Sequence, residues 1–228
     1  MQLQAKNIKG FTILEVIVVL CLVGIISAIA YPNIDTWNKT RKVKTEVLRA
    51  VNIFENINSQ VQRGLYTFAQ VYILSEVLDD DSTKVTIISR GMSADSFGRK
   101  MSETPDLFKD PVDRCFLDGD EWDDDGSVSN KPEVSSVVLE GIETPEFIGE
   151  AAVCFSKDGK YYGATANFAD LNNFIIRGSG GICDDPDDIK GPECDYRIGW
   201  SRFGSIKLEK WNDRAGVDND GDWVNQLK

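Results

Sequence analysis

An apolar run that passes directly into an amphipathic stripe is the strongest constraint on this chain. Residues 11–30 read FTILEVIVVLCLVGIISAIA, with Glu15 as the one charged side chain. As a helix these 20 residues span roughly 30 Å, the hydrocarbon thickness of a bilayer. Beyond Pro32 the apolar residues become periodic: Val43, Val47, Val51, Phe54, Ile57 and Val61 are spaced 4, 4, 3, 3 and 4, placing them on one helical face. Gly64 suits a C-cap. The pattern predicts one helix over residues 11–63, on the order of 80 Å long. No domain of this size buries such a helix from end to end. Its first half needs lipid or a bundle of like helices, and its second half packs on its own domain. Lys6 and Lys9 precede the apolar run with no acid beside them, which holds its start on the cytoplasmic side and exports the rest of the chain.

Composition then removes whole classes of chemistry. The 228 residues include no histidine, so Ser-His-Asp triads, Cys-His pairs and imidazole metal sites are excluded. With 25 basic and 37 acidic residues the formal charge is −12. That charge is uneven: residues 1–100 carry 12 basic and 9 acidic groups, residues 101–228 carry 13 and 28. Phosphate contacts need a basic face, so the acidic second part argues against nucleic acid as a partner.

Three readings of the N-terminus compete. A secretory signal peptide would be cut after Ala28-Ile29-Ala30 and release a domain starting at Tyr31. Its apolar core normally runs 7–15 residues and lacks an acid. A plain membrane anchor gives no reason for Glu15, since a carboxylate deep in a membrane costs about 2.5–3.5 kcal/mol or more. The third reading accounts for every residue: Lys9-Gly10-Phe11-Thr12-Ile13-Leu14-Glu15 resembles the cleavage and methylation motif of type IV prepilins and type II secretion pseudopilins. The resemblance implies that residues 1–10 are a leader, that a prepilin peptidase cuts between Gly10 and Phe11, and that the new Phe11 amine is methylated. It also implies that Glu15 takes part in subunit recruitment and that Pro32 is the helix-bending proline. A buried carboxylate is tolerable beside a cation, and the Phe11 amine of a neighbouring subunit is the natural partner.

After Leu65 helical periodicity fades. Runs rich in β-branched and aromatic residues occupy 84–89, 134–139, 151–155, 160–164, 173–177, 196–200 and 203–208, with turn signals at Lys157-Asp158-Gly159 and Arg202-Phe203-Gly204. Residues 68–78 and 103–109 read as short helical elements. The expected fold is α+β: an antiparallel sheet laid across the second half of the long helix, the lollipop of a pilin. Residues 11–32 would be the transmembrane and filament-core half of the helix, 33–64 the amphipathic half, and 65–228 the exported head. Residues 153–159 look like the strand-turn, and residues 198–206 are similar to the closing hairpin, of H-type minor pseudopilins and FimT-like minor pilins. Lys39, Arg41, Lys42, Lys44 and Arg49 form either a solvated face or a partner for an acidic head.

Cys21 lies in the apolar run and reads as a small apolar residue. Cys115, Cys154, Cys183 and Cys194 fall on the exported side, where an even count implies two disulfides with three pairings open. Local pairing of Cys183 with Cys194 would leave Cys115 with Cys154. It would close an acidic loop that resembles the disulfide-bounded variable loop of pilin heads. Asp218, Asp220 and Asp222 have the 1-3-5 carboxylate spacing of calcium loops, although glycine stands at position 4 of the run and no glutamate comes at 12. Calcium is the one cofactor the residues suggest, against a solvated acidic segment. Asp123, Asp124 and Asp125 beside Trp122 read as a solvated loop rather than a hydrolytic pair.

The expected function is therefore structural, without enzymatic activity. The chain would be a minor pilin or minor pseudopilin of a type IV pilus or type II secretion pseudopilus. It would cross the inner membrane once and place its head in a periplasmic pseudopilus or an extracellular pilus. Expected partners are prepilin peptidase, other pilin or pseudopilin subunits and the inner-membrane assembly platform. A major pilin is the near alternative, and a calcium-binding or hydrolytic domain released by signal peptidase the distant one.

Overall fold

The computed structural model describes residues 12–79, 83–117, 122, 133–144, 149–164, 173–178, 195–201, 205–212 and 221–227; the side chains of 28–36, 39, 133, 143 and 164 are outside that description. The chain divides into two compact units, Met1–Lys39 and Thr40–Lys228. Helix α1 (Ile13–Gln62) passes through both and runs on as helix through Pro32.

In the first unit, every described apolar side chain of residues 13–27 is exposed, on all sides of the helix. A helix apolar all round is stable only when something covers it. Among the described residues no helix is long and apolar enough to cross a membrane; described side chains in the apolar run stop at residue 27.

The second unit is built on the amphipathic part of α1. All six residues of the predicted stripe, Val43, Val47, Val51, Phe54, Ile57 and Val61, are buried, joined by Ala50 and Ile53. The helix ends as the glycine signal predicts. Gly64 adopts φ +78°, its N–H bonds the Val61 carbonyl at 2.9 Å, and the Leu65 N–H bonds the Gln60 carbonyl at 3.0 Å, a Schellman closure.

Strands β1 (Phe68–Val77), β2 (Thr83–Met92), β3 (Glu133–Glu140), β5 (Gly149–Ser156) and β6 (Tyr161–Ala164) form one antiparallel sheet in the order β3-β2-β1-β5-β6. A second antiparallel sheet runs β10-β9-β8-β7-β4, from β4 (Ile142–Glu143), β7 (Asn173–Gly178), β8 (Tyr196–Trp200), β9 (Ile206–Asn212) and β10 (Asp222–Asn225). The fold is α+β, but with two five-stranded sheets where one was expected. Inward residues of both sheets and the α1 stripe share one core. At its centre Phe54 stacks on Phe174 at 5.6 Å and on Trp200 at 6.0 Å between ring centroids.

Two expectations are corrected. Residues 68–78, read as helical, form the central strand β1. Both of its faces are covered: Ala69, Val71 and Ile73 enter the shared core, whereas Phe68 and Tyr72 enter a second cluster. A strand buried on two sides loses the alternation that marks strands. Residues 103–109 do not form one helix. Helix α2 (Ala94–Glu103) starts earlier, capped by Ser93, whose hydroxyl accepts the Ser96 N–H at 3.2 Å. Pro105 opens a new helix, α3 (Pro105–Phe108), and Pro111 another, α4 (Pro111–Cys115), because proline lacks the N–H an interior position needs but suits a first turn. The last predicted strand is also displaced, beginning at Ile206 and continuing to Asn212.

Candidate functional site

The N-terminal turn of α1 is set by Thr12, whose hydroxyl accepts the Glu15 N–H at 3.2 Å and whose carbonyl accepts the Val16 N–H at 3.2 Å. Thr12-Ile13-Leu14-Glu15 is a capping box in sequence, a start signal that places the first helical turn at Ile13. Glu15 sits in that turn, where the helix dipole favours an anion. Its side chain is exposed, as are the apolar side chains around it. A lone carboxylate on the first turn of an uncovered apolar helix is suited to meeting a cation supplied by whatever covers that helix. Gly10 and Phe11 lie outside the described residues, and Pro32 is described only as part of the helix. Cys21 is a free, exposed thiol.

In the second unit the structure joins Cys115 to Cys154, with Cα atoms 5.7 Å apart. The bond ties α4 to β5, on the sheet face opposite α1. Gln70, fully buried on β1, reinforces the same junction: its amide donates to the Cys115 carbonyl at 2.7 Å and the Leu117 carbonyl at 2.9 Å. Arg90 donates to the Gln70 side-chain oxygen Oε1 at 2.7 Å and lies over the Tyr72 ring. Arg114 is buried with its guanidinium 4.3 Å from the Phe68 ring centroid and 4.8 Å from that of Phe97, and burial pushes its pKa below the usual value. This polar, aromatic junction is structural: each partner holds the helical segment against the sheet. No sequence signal marks Gln70 or Arg90, because their partners lie 45 and 20 residues away.

The Cys115–Cys154 bond closes 39 residues of chain, and loop-closure entropy for that length is worth about 4 kcal/mol. Cys115→Ser should lower the unfolding free energy of the full chain by roughly 2–5 kcal/mol in urea titration. A change below about 0.5 kcal/mol, the ordinary surface effect, would show that the Gln70 junction alone holds α4.

Cys183, Cys194, Asp218 and Asp220 lie outside the described residues. Asp222 opens β10, exposed, with Oδ1 accepting the Trp223 N–H at 2.7 Å. Gly221 before it has φ +81° and is backed by the Trp211 ring, so a side chain there would be strained twice over. Among the described residues no group of three or more His, Cys, Asp or Glu side chains is placed to hold a metal.

No curated protein and no solved structure matches this chain. Residues 5–31 match the family model of the prokaryotic N-terminal methylation motif, spanning Gly10, Phe11, the Thr12 cap, Glu15 and the apolar run, and so support a type IV pilin-like, prepilin-processed N-terminus.

Proposed function

We propose that this chain is a structural subunit of a type IV pilus or type II secretion pseudopilus, a minor pilin or minor pseudopilin. The observation that carries the reading is the methylation motif at 5–31 leading into a helical segment, residues 13–27, whose described apolar side chains are all exposed. In this reading prepilin peptidase removes residues 1–10 and methylates Phe11. The helix is held first in the inner membrane by lipid and then, through the assembly platform, in a filament by the helices of other subunits. The head is exported to a periplasmic pseudopilus or an extracellular pilus. The role is one of assembly, with no reaction assigned. A large head with two sheets and a helical segment favours a minor over a major subunit, the bulk of a filament being built from compact repeating heads. The 1-3-5 spacing of Asp218, Asp220 and Asp222 supports calcium as a ligand of the acidic C-terminal segment.

Mass spectrometry of sheared filaments beside the membrane fraction tests the reading. The expected N-terminal peptide begins at a methylated Phe11 and is found mainly in membranes. The same peptide dominating the filaments would make the chain a major pilin. A peptide beginning at Tyr31 would overturn the proposal.

A further inference from the structure

The outward face of the second sheet carries a pocket that the assembly role does not use. Along β7 and β8 buried and half-buried residues alternate. Phe174, Ile176, Tyr196, Ile198 and Trp200 point into the core, so Asn173, Arg197 and Gly199 belong to the opposite face. Pairing sets Asn173 beside Gly199 and Gly199 beside Lys207, so one row across three strands has a glycine at its centre. The row next to it pairs Arg197 with Glu209. A central residue without a side chain, flanked by the polar Asn173 and Lys207, leaves a depression. The structure shows one there of about 250 Å³, lined by Asn173, Arg197, Gly199, Ser201, Lys207 and Glu209 and backed by Trp200.

The charges around it are specific. Arg197 and Glu209 neutralise each other at 2.7 Å, and the Arg197 guanidinium also lies 4.5 Å from the Trp223 ring centroid, which fixes that wall. Lys207 is exposed, and among the described residues it makes no ion pair. One surplus ammonium in a part of the chain that carries 28 acidic residues favours a singly charged anion. A phosphate with two charges would leave one of them unmatched, because Arg197 is already engaged by Glu209. Asn173 brings both a donor and an acceptor, the groups that read sugar hydroxyls, whereas the Ser201 hydroxyl is held by Ser205, accepting its N–H at 3.1 Å and bonding its hydroxyl at 2.6 Å. Drug-sized ligands need about 300–1,000 Å³, so this volume suits a single ring.

We propose that this pocket is a binding site for a hexuronate, a sugar ring bearing one carboxylate. Lys207 takes the carboxylate, Asn173 takes ring hydroxyls, and the Arg197–Glu209 pair forms the fixed end wall. The site is independent of the N-terminal motif and does not rest on the filament reading.

Calorimetric titration of the full chain in neutral detergent with sodium galacturonate, galactose and sodium acetate tests it. Galacturonate should bind saturably at one site with a dissociation constant of about 1 mM, and galactose and acetate at least about tenfold more weakly. Lys207→Gln should weaken galacturonate about tenfold, the usual effect of losing one hydrogen bond to a charged group, and Asn173→Ala severalfold. Both substitutions are on the outward face and remove no core contact. Absence of saturable galacturonate binding, equal binding of acetate, or unchanged binding in both variants would each overturn the proposal.

Discussion

Replacing Phe54 with alanine should cost the second unit about 3–5 kcal/mol of unfolding free energy, the range for deleting a buried aromatic ring. Phe54 is fully buried and is where α1 meets the second sheet, stacked on Phe174 and Trp200. Its removal takes away the transfer free energy of the ring and leaves a cavity between a helix and β7 and β8, whose hydrogen-bonded pairing prevents collapse around the gap. Domains of this kind are stable by about 5–15 kcal/mol, so one substitution would remove about a fifth or more. Urea unfolding of the full chain in mild detergent, followed by tryptophan fluorescence, reads it through the five tryptophans, of which Trp200 lies in this core. Leu48→Ala is the comparison on the same helix. Leu48 is 36% exposed and should change stability by no more than about 0.5–1 kcal/mol. Equal effects of the two variants would mean that α1 does not contribute the core face assigned to it.

That core is legible in the sequence where the signal is periodic. The α1 stripe is a one-dimensional pattern with a helical period, and all six residues named from it are buried. Most other strands can also be placed, because runs such as 134–139 and 151–155 are bounded by turn residues. Strand β1 escapes the pattern for a physical reason: its run FAQVYILSEV serves the shared core with one set of side chains and the Phe68–Tyr72 cluster with the other, so alternation vanishes. The division into two sheets is equally hidden. It depends on long-range choices, such as β1 pairing with both β2 and β5, which no local pattern encodes. Strand β4 is two residues long, too short to register as a pattern. The N-terminal motif is legible because its chemistry is local: a glycine, an aromatic residue and an acid within six positions, ahead of an apolar run. The capping role of Thr12 is just as local, a hydroxyl three residues before an acid, and the bare apolar run beside it masks that signal by setting no helix boundary of its own. The Gln70 junction and the pocket over Gly199 exist only through strand register, and register appears only with the fold.

The sharpest functional prediction concerns Glu15, because two effects of removing it have opposite signs. Within residues 13–27 it is the one charged side chain, so Glu15→Ala should ease residence of the helix in lipid, by about 2.5–3.5 kcal/mol if the carboxylate lies deep in the bilayer. A plain anchor would therefore be improved. Under the proposed filament role the carboxylate meets a cationic amine once like helices cover the segment, and removing one partner of a buried pair costs about 3–5 kcal/mol. Incorporation into filaments should then fall on the order of 100-fold, with the subunit accumulating in the membrane. Cleavage after Gly10 should continue, and the helix should start where it does now, since Thr12 caps α1 through the backbone N–H of Glu15 rather than its side chain. Glu15→Gln keeps size and polarity while removing charge, and should fail to nearly the same degree. Quantifying the Phe11 peptide in filament and membrane fractions separates these contributions. Normal incorporation of Glu15→Ala would remove the pairing role, whereas loss of incorporation with Glu15→Ala but not Glu15→Gln would assign recruitment to hydrogen bonding instead of charge.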